Sequence, residues 1–246
     1  MPVVPSHSIY TCGPCRILFD VYHGYELNLG YVGDGKVYTA MQTASFFAHQ
    51  LNGDGRCRHI GLHPEHAEHN LVEFLRPRKR VVRADAVIFP RQQMTVGILA
   101  ADCASVVITD EEWVAFAHIG RPELTAEPPL ITNLFKQWPG NLGETKVHIG
   151  PMTRGVFYQF PNPLTGFEKY RCKTIWFMIP GLDLERILAD QLRTAGVEDH
   201  NVFSSPLDPF YQRLMGEDCW ASDQFCRRFR KTPTESHRDL HLLRVF

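Results

Sequence analysis

Charge of one sign is what this sequence has least of: 26 Lys and Arg stand against 27 Asp and Glu. Without a net field there is no electrostatic case for nucleic acid or an anionic membrane as a partner. Long apolar runs are missing too. Met94–Val107 and Ile175–Leu184 are interrupted by polar residues and fall short of the roughly 20 residues a spanning helix needs. Met1–Tyr10 has neither a basic n-region nor an apolar h-region, so no export signal is expected and the reading is cytoplasmic. There is no internal repeat, no low-complexity linker and no clear boundary; Pro161–Thr165 and Glu123–Pro129 read as ordinary loops. One domain, residues 1–246, is therefore expected, large enough to bury its core without covalent staples.

A disulfide framework is absent as well. The seven cysteines (12, 15, 57, 103, 172, 219, 226) are odd in number and scattered, which in a chain without an export signal reads as reduced thiols.

What is present is a cluster of short strands between helices. Val37–Leu51 carries apolar residues at roughly helical spacing and ends at Asn52-Gly53. Ala84–Phe89, Thr95–Ala100, Ala104–Thr109, Trp113–His118 and Lys146–Gly150 are short apolar or β-branched runs that read as strands. Leu182–Ala195 is the clearest helix, with Leu184, Ile187, Leu188, Leu192 and Ala195 as its stripe and Gly196 at its end. Phe203–Phe229 reads as aromatic-rich and irregular, and Leu240–Phe246 as a closing strand. Strands in the middle with helices before and after predict an α+β fold rather than regular βαβ alternation.

Three places could carry chemistry. Cys12-Gly13-Pro14-Cys15 has the spacing of a redox dithiol, but that chemistry needs the first Cys after a strand and at a helix N-terminus. Too few residues precede it, so two ordinary cysteines around a turn is the preferred reading. His59, His63, His66 and His69 recur at spacings of three and four, which on a helix could converge on a metal; solvated surface histidines are the plainer account. Cys103 and His118 stand at the ends of neighbouring strand-like runs. Such a pair serves either as an activated thiolate with its base or as two zinc ligands, against the plain alternative of a buried Cys beside a core His.

Six segments, in order, resemble the YfiH (laccase-domain, multicopper polyphenol-oxidase-like) family. They are Asn28-Leu-Gly-Tyr-Val-Gly-Asp34; Arg83-Ala-Asp-Ala-Val87 with Leu99-Ala-Ala-Asp-Cys103; Ala117-His-Ile-Gly-Arg121; Ile149-Gly-Pro151; the Asp183–Gly196 helix; and Cys219-Trp-Ala-Ser-Asp223 through Arg230. The resemblance implies mixed β-sheet layers flanked by helices, in a sandwich also likened to cysteine hydrolases. It implies one zinc held by His, Cys and His, which here are His66, Cys103 and His118, with His63 or His69 as the fallback for the first. Three protein ligands leave the open position that a catalytic zinc site requires. It further implies a small-molecule substrate, a purine nucleoside with phosphate, and transferase or hydrolase chemistry: phosphorolysis or adenosine deamination. Copper ranks below zinc, because a blue-copper centre wants a second His and an axial Met that do not sit at suitable spacing beside Cys103.

The sequence also departs from the family pattern. Its "FTTRxGG" reads Ile9-Tyr-Thr-Cys-Gly-Pro14, "HAGWRG" has become His118-Ile-Gly-Arg-Pro-Glu123, and "IGPCI" has Met152 in place of Cys. Two alternatives therefore stay open beside the zinc enzyme. One is a non-catalytic relative that binds a nucleotide-like ligand or a protein partner. The other is a metal-free cysteine hydrolase with Cys103 as nucleophile and His118 as base.

Overall fold

The computed structural model describes residues 7–12, 17–22, 58–63, 72–74, 81–162, 164–175, 179–216, 222–229 and 239–246. Within them two six-stranded sheets face each other. The first runs in the order β1 (His7–Cys12), β2 (Ile17–Tyr22), β14 (Asp239–Val245), β7 (Met94–Ala100), β3 (Arg58–His63), β5 (Val81–Arg83). The second runs β13 (Val202–Ser204), β10 (Lys146–Ile149), β8 (Ala104–Thr109), β9 (Trp113–Ile119), β6 (Ala86–Pro90), β4 (Val72–Phe74). A small antiparallel pair, β11 (Arg171–Lys173) and β12 (Pro180–Leu182), lies apart.

Alternation along the strands decides the layers. Val87, Phe89, Val107, Val114 and Phe116 of the second sheet pack against Ile17, Phe19, Val96, Ile98 and Leu243 of the first. The intervening residues, among them Ile88, Val106, Ile108, Ala115, Ala117 and Ile119, face the helices. Those helices are α1 (Arg121–Thr125), α2 (Leu130–Gln137) and α3 (Leu184–Thr194). Buried on both sides, β6, β8 and β9 can carry near-continuous apolar sequence, which is why their runs stood out. The mixed α+β architecture expected from the sequence is the one observed.

Helix α3 forms for local reasons as well. Asp183 accepts the Arg186 N–H at 3.1 Å as N-cap. Gly196, at φ +95°, closes the other end, and the Val197 N–H returns to the Leu192 carbonyl at 3.0 Å. Leu184, Ile187, Leu188 and Leu192 are buried, each worth about 1.5–3 kcal/mol by transfer from water.

Several readings are corrected. Glu123–Pro129 is not all loop, since Arg121–Thr125 is helical with a proline in its first turn, a position where the missing N–H costs nothing. Phe203–Phe229 is not irregular throughout: it holds α4 (Pro209–Leu214), capped by Asp208, and α5 (Asp223–Phe229). The helix expected at 37–51 lies outside the described residues.

Candidate functional site

Two crossovers build one end of the sandwich. Ala84-Asp85 carries the chain from β5 in the first sheet to β6 in the second, and Ala101-Asp102-Cys103 carries it from β7 to β8. Both Ala-Asp pairs recognised in the sequence are therefore the same structural event. The β8–β9 register sets Ala104 opposite Ile119 and Ser105 opposite His118, so Cys103 comes to lie beside Gly120. The approach is close: a Cβ on Gly120 would stand 2.7 Å from Cys103 Sγ. His118 is buried, 3% exposed, and its backbone N–H donates to the Asp85 carbonyl at 2.8 Å.

Asp102 fixes the turn that presents Cys103. Its Oδ1 accepts from Thr153 Oγ1 at 2.7 Å and Ser222 Oγ at 2.6 Å, and its Oδ2 from the Gln224 N–H at 2.7 Å. A carboxylate with this many donors is strongly held. It joins the Cys103 turn to the strand exit after β10 and to the start of α5.

Glu123 was not foreseen. Its carboxylate is fully buried; Oε2 accepts the Gly120 N–H at 2.8 Å, and Oε1 lies 3.7 Å from His118 Nδ1. The second distance is too long for a hydrogen bond but close enough for an ion pair if the imidazole is protonated. The available signal was its spacing: a Glu three residues after the helix-entry residue is the acidic half of a capping box.

Beyond Glu123 the site has a half-buried aromatic wall. The Arg121 guanidinium lies over the Phe160 ring, 4.8 Å from its centroid, and hydrogen-bonds the Tyr158 hydroxyl. Burial above all, with the charge of a Cys103 thiolate and of Asp102, pushes the Tyr158 hydroxyl up to about 12, against an opposing pull from Arg121. Tyr158 thus stays a neutral phenol at physiological pH.

The remaining sequence candidates are placed as follows. His66 and His69 lie outside the described residues. His59 and His63 belong to strand β3, not to a helix; four residues apart on an extended strand, their backbones stand roughly 13 Å from each other, too far to converge on one metal. His63 is the last residue of β3. The parallel β3–β7 register pairs Leu62 with Ile98, so β3 ends at the same end of the sheet from which β7 leads into Cys103. For the dithiol, Cys12 ends β1 and pairs across from Ile17 of the antiparallel β2. A strand, not a helix, is the next described element after it, so the context of a redox dithiol is lacking. The two cysteines whose side chains are described, Cys103 and Cys172, are not in disulfides.

As donors, a thiol and an imidazole suit zinc and its neighbours. Among the described residues no group of three His, Cys, Asp or Glu side chains could hold a metal. The described part of the site therefore supplies Cys103 and His118, and a third ligand would have to come from elsewhere. No described helix is long and apolar enough to cross a membrane.

Fold and site together define a class: among the described residues, a two-sheet α+β protein with helices against its second sheet and with Cys103 and His118 on neighbouring chain segments where the chain passes between the sheets. Residues 21–214 match the family described as multi-copper polyphenol oxidoreductase laccase, and the chain belongs to that family. Three solved structures share its fold. A hypothetical protein YfiH from Bacillus licheniformis aligns with a TM-score of 0.68 at 15% identity, over 94% of this chain and 92% of that one. YlmD from Geobacillus stearothermophilus aligns at 0.70 and 16%, over 99% and 98%. NMB0706 from Neisseria meningitidis aligns at 0.70 and 17%, over 97% and 98%. No curated protein matches. At such identities these likenesses establish fold alone; the family's description associates it with a metal, copper by name.

Proposed function

We propose that the chain is a zinc-dependent enzyme acting on purine nucleosides, by phosphorolysis or by deamination. The observation that carries the reading is the β8–β9 register, which sets Cys103 and His118 on neighbouring chain segments at the end of the sandwich where β3 also ends. The last described residue of β3, His63, stands at that end, three residues before His66 in the sequence. One thiolate and two imidazoles with an open fourth position are a catalytic zinc set, whereas copper on the same three donors takes a weak axial Met as well. When bound, zinc supplies Lewis acidity at an open position. The chain's own groups do the rest: Asp102 holds the turn that carries Cys103, Gly120 leaves room for its sulfur, and the buried carboxyl group of Glu123 lies 3.7 Å from His118 Nδ1. A carboxylate behind a ligating histidine raises its basicity and fixes its ring.

That same Glu123 favours a second reading. Thiol, imidazole and carboxylate in sequence form the nucleophile–base–orienter set of a metal-free cysteine hydrolase. Metal content decides between them. Elemental analysis of purified wild type beside Cys103→Ala and His118→Ala is expected to give about one zinc per chain, lost in both variants. No zinc in the wild type, with hydrolysis abolished by alkylating Cys103, would establish the hydrolase instead. Incubation of the zinc-loaded protein with adenosine or inosine, with and without phosphate, then separates phosphorolysis from deamination.

A further inference from the structure

We propose that Arg121 is the residue that holds an oxyanion of the substrate beside the Cys103–His118 pair. In the phosphorolytic reading, on which the identity of the anion rests, that oxyanion is inorganic phosphate. Arg121 follows Gly120, where a Cβ would stand 2.7 Å from Cys103 Sγ, and its guanidinium acts on the same Tyr158 hydroxyl that Cys103 acts on. Its guanidinium carbon lies over the Phe160 ring, 4.8 Å from the centroid, and the Tyr158 hydroxyl accepts one of its N–H groups. Among the described residues no carboxylate pairs with it. Two other described arginines are committed. Arg171 lies 5.9 Å from the same ring but donates to the carbonyls of Phe160, Pro161 and Asn162. Arg154 donates to the Ser205 carbonyl and pairs with Glu185 at 3.6 Å.

A guanidinium has five N–H donors in one plane. The Phe160 contact engages the cation's charge rather than its donors, and Tyr158 takes one donor. The remaining donors are left for further acceptors, and two oxygens of a phosphate match them. The platform is also rigid. The Phe160 N–H donates to the Pro180 carbonyl at 2.9 Å, and the Leu182 N–H to the Tyr158 carbonyl at 3.2 Å. A held cation loses less freedom when it binds, which is where preorganised sites gain affinity. In the reaction, a phosphate oxygen forms a bond to the anomeric carbon as the glycosidic C–N bond breaks. The base leaves with that electron pair and takes up the proton that phosphate gives up.

The test is binding of inorganic phosphate to the purified full-length protein, by calorimetric titration. Wild type is expected to bind phosphate, Arg121→Gln at least about tenfold more weakly, and Arg193→Gln, an exposed arginine paired with Asp190 and Asp199, as wild type does. Equal binding by Arg121→Gln, or no binding by wild type, overturns the proposal. Should Arg121→Gln not fold, Arg121→Lys replaces it: a point charge cannot stack and fork at once, so several-fold weaker binding is expected, and equal binding again overturns it. Turnover keeps the two readings apart. Phosphate held through Arg121 with no nucleoside consumed leaves this site standing and removes phosphorolysis. Nucleoside cleaved by Arg121→Gln with an unchanged KM for phosphate does the reverse.

Discussion

Gly120 is a glycine for steric reasons, since its φ of −118° is open to any residue. A methyl group there would sit 2.7 Å from Cys103 Sγ and 2.9 Å from Glu123 Oε2, well inside contact distance. Gly120→Ala is thus expected to push the sulfur and the carboxylate aside. In the zinc reading it loses most of the bound metal while its melting temperature stays within a few degrees of wild type; full zinc would mean that this sulfur is not a ligand. Cys103 and His118 were legible in the sequence because each sits at a strand end inside a recognisable string of letters. Arg121, Glu123, Tyr158 and Phe160 were not. Their relation to Cys103 arises only when α1 folds back over the end of β8 and when the chain after β10 returns past it. No local pattern records such a return.

The elements differ in legibility for a related reason. Strands β6, β8 and β9 are apolar on both faces, so sequence alone marks them. Strands β1 and β3 escaped notice because His7–Cys12 and Arg58–His63 carry neither a continuous apolar run nor a clean period-two alternation. Helices α1, α4 and α5 are too short for a periodic stripe to register. Helix α3 was legible from stripe, cap and terminal glycine together. It also braces the site's neighbour: Gln191 Nε2 donates to the Leu124 carbonyl in α1 at 2.7 Å. Asp183→Ala removes the N-cap and is expected to cost about 1 kcal/mol in urea unfolding. The zinc content should not change, because the core stripe of α3 still holds it in place. A loss near zero would show that packing alone sets that helix end.

At the scale of the whole molecule, near-zero net charge means that no strong self-repulsion masks individual titrations at neutral pH. One of these stands out. His148 on β10 is 6% exposed and stacks on Phe203 at 4.9 Å with the rings 10° from parallel. Burial first, then the positive charge of Lys146, brings its pKa from 6.5 down to about 4. Between those two values the unfolded chain binds the proton and the folded chain does not. Stability must therefore fall as pH is lowered from about 6.5 to about 4, at less than ~1.4 kcal/mol per pH unit for one proton. Other groups contribute nearby: burial raises Asp208, which works in the opposite sense, and Asp190 is lowered by Tyr170 and Lys169, which acts in the same sense but below the ordinary Asp value. His148→Gln separates them, because it stays neutral throughout and leaves the carboxylates in place. Urea unfolding at half-unit steps from pH 7 to 4 is expected to give a shallower decline for His148→Gln than for wild type, whatever constant penalty the lost stacking adds. Parallel curves would mean that the imidazole is protonated in the folded protein as readily as in the unfolded chain, and that acid sensitivity in this window belongs to other groups.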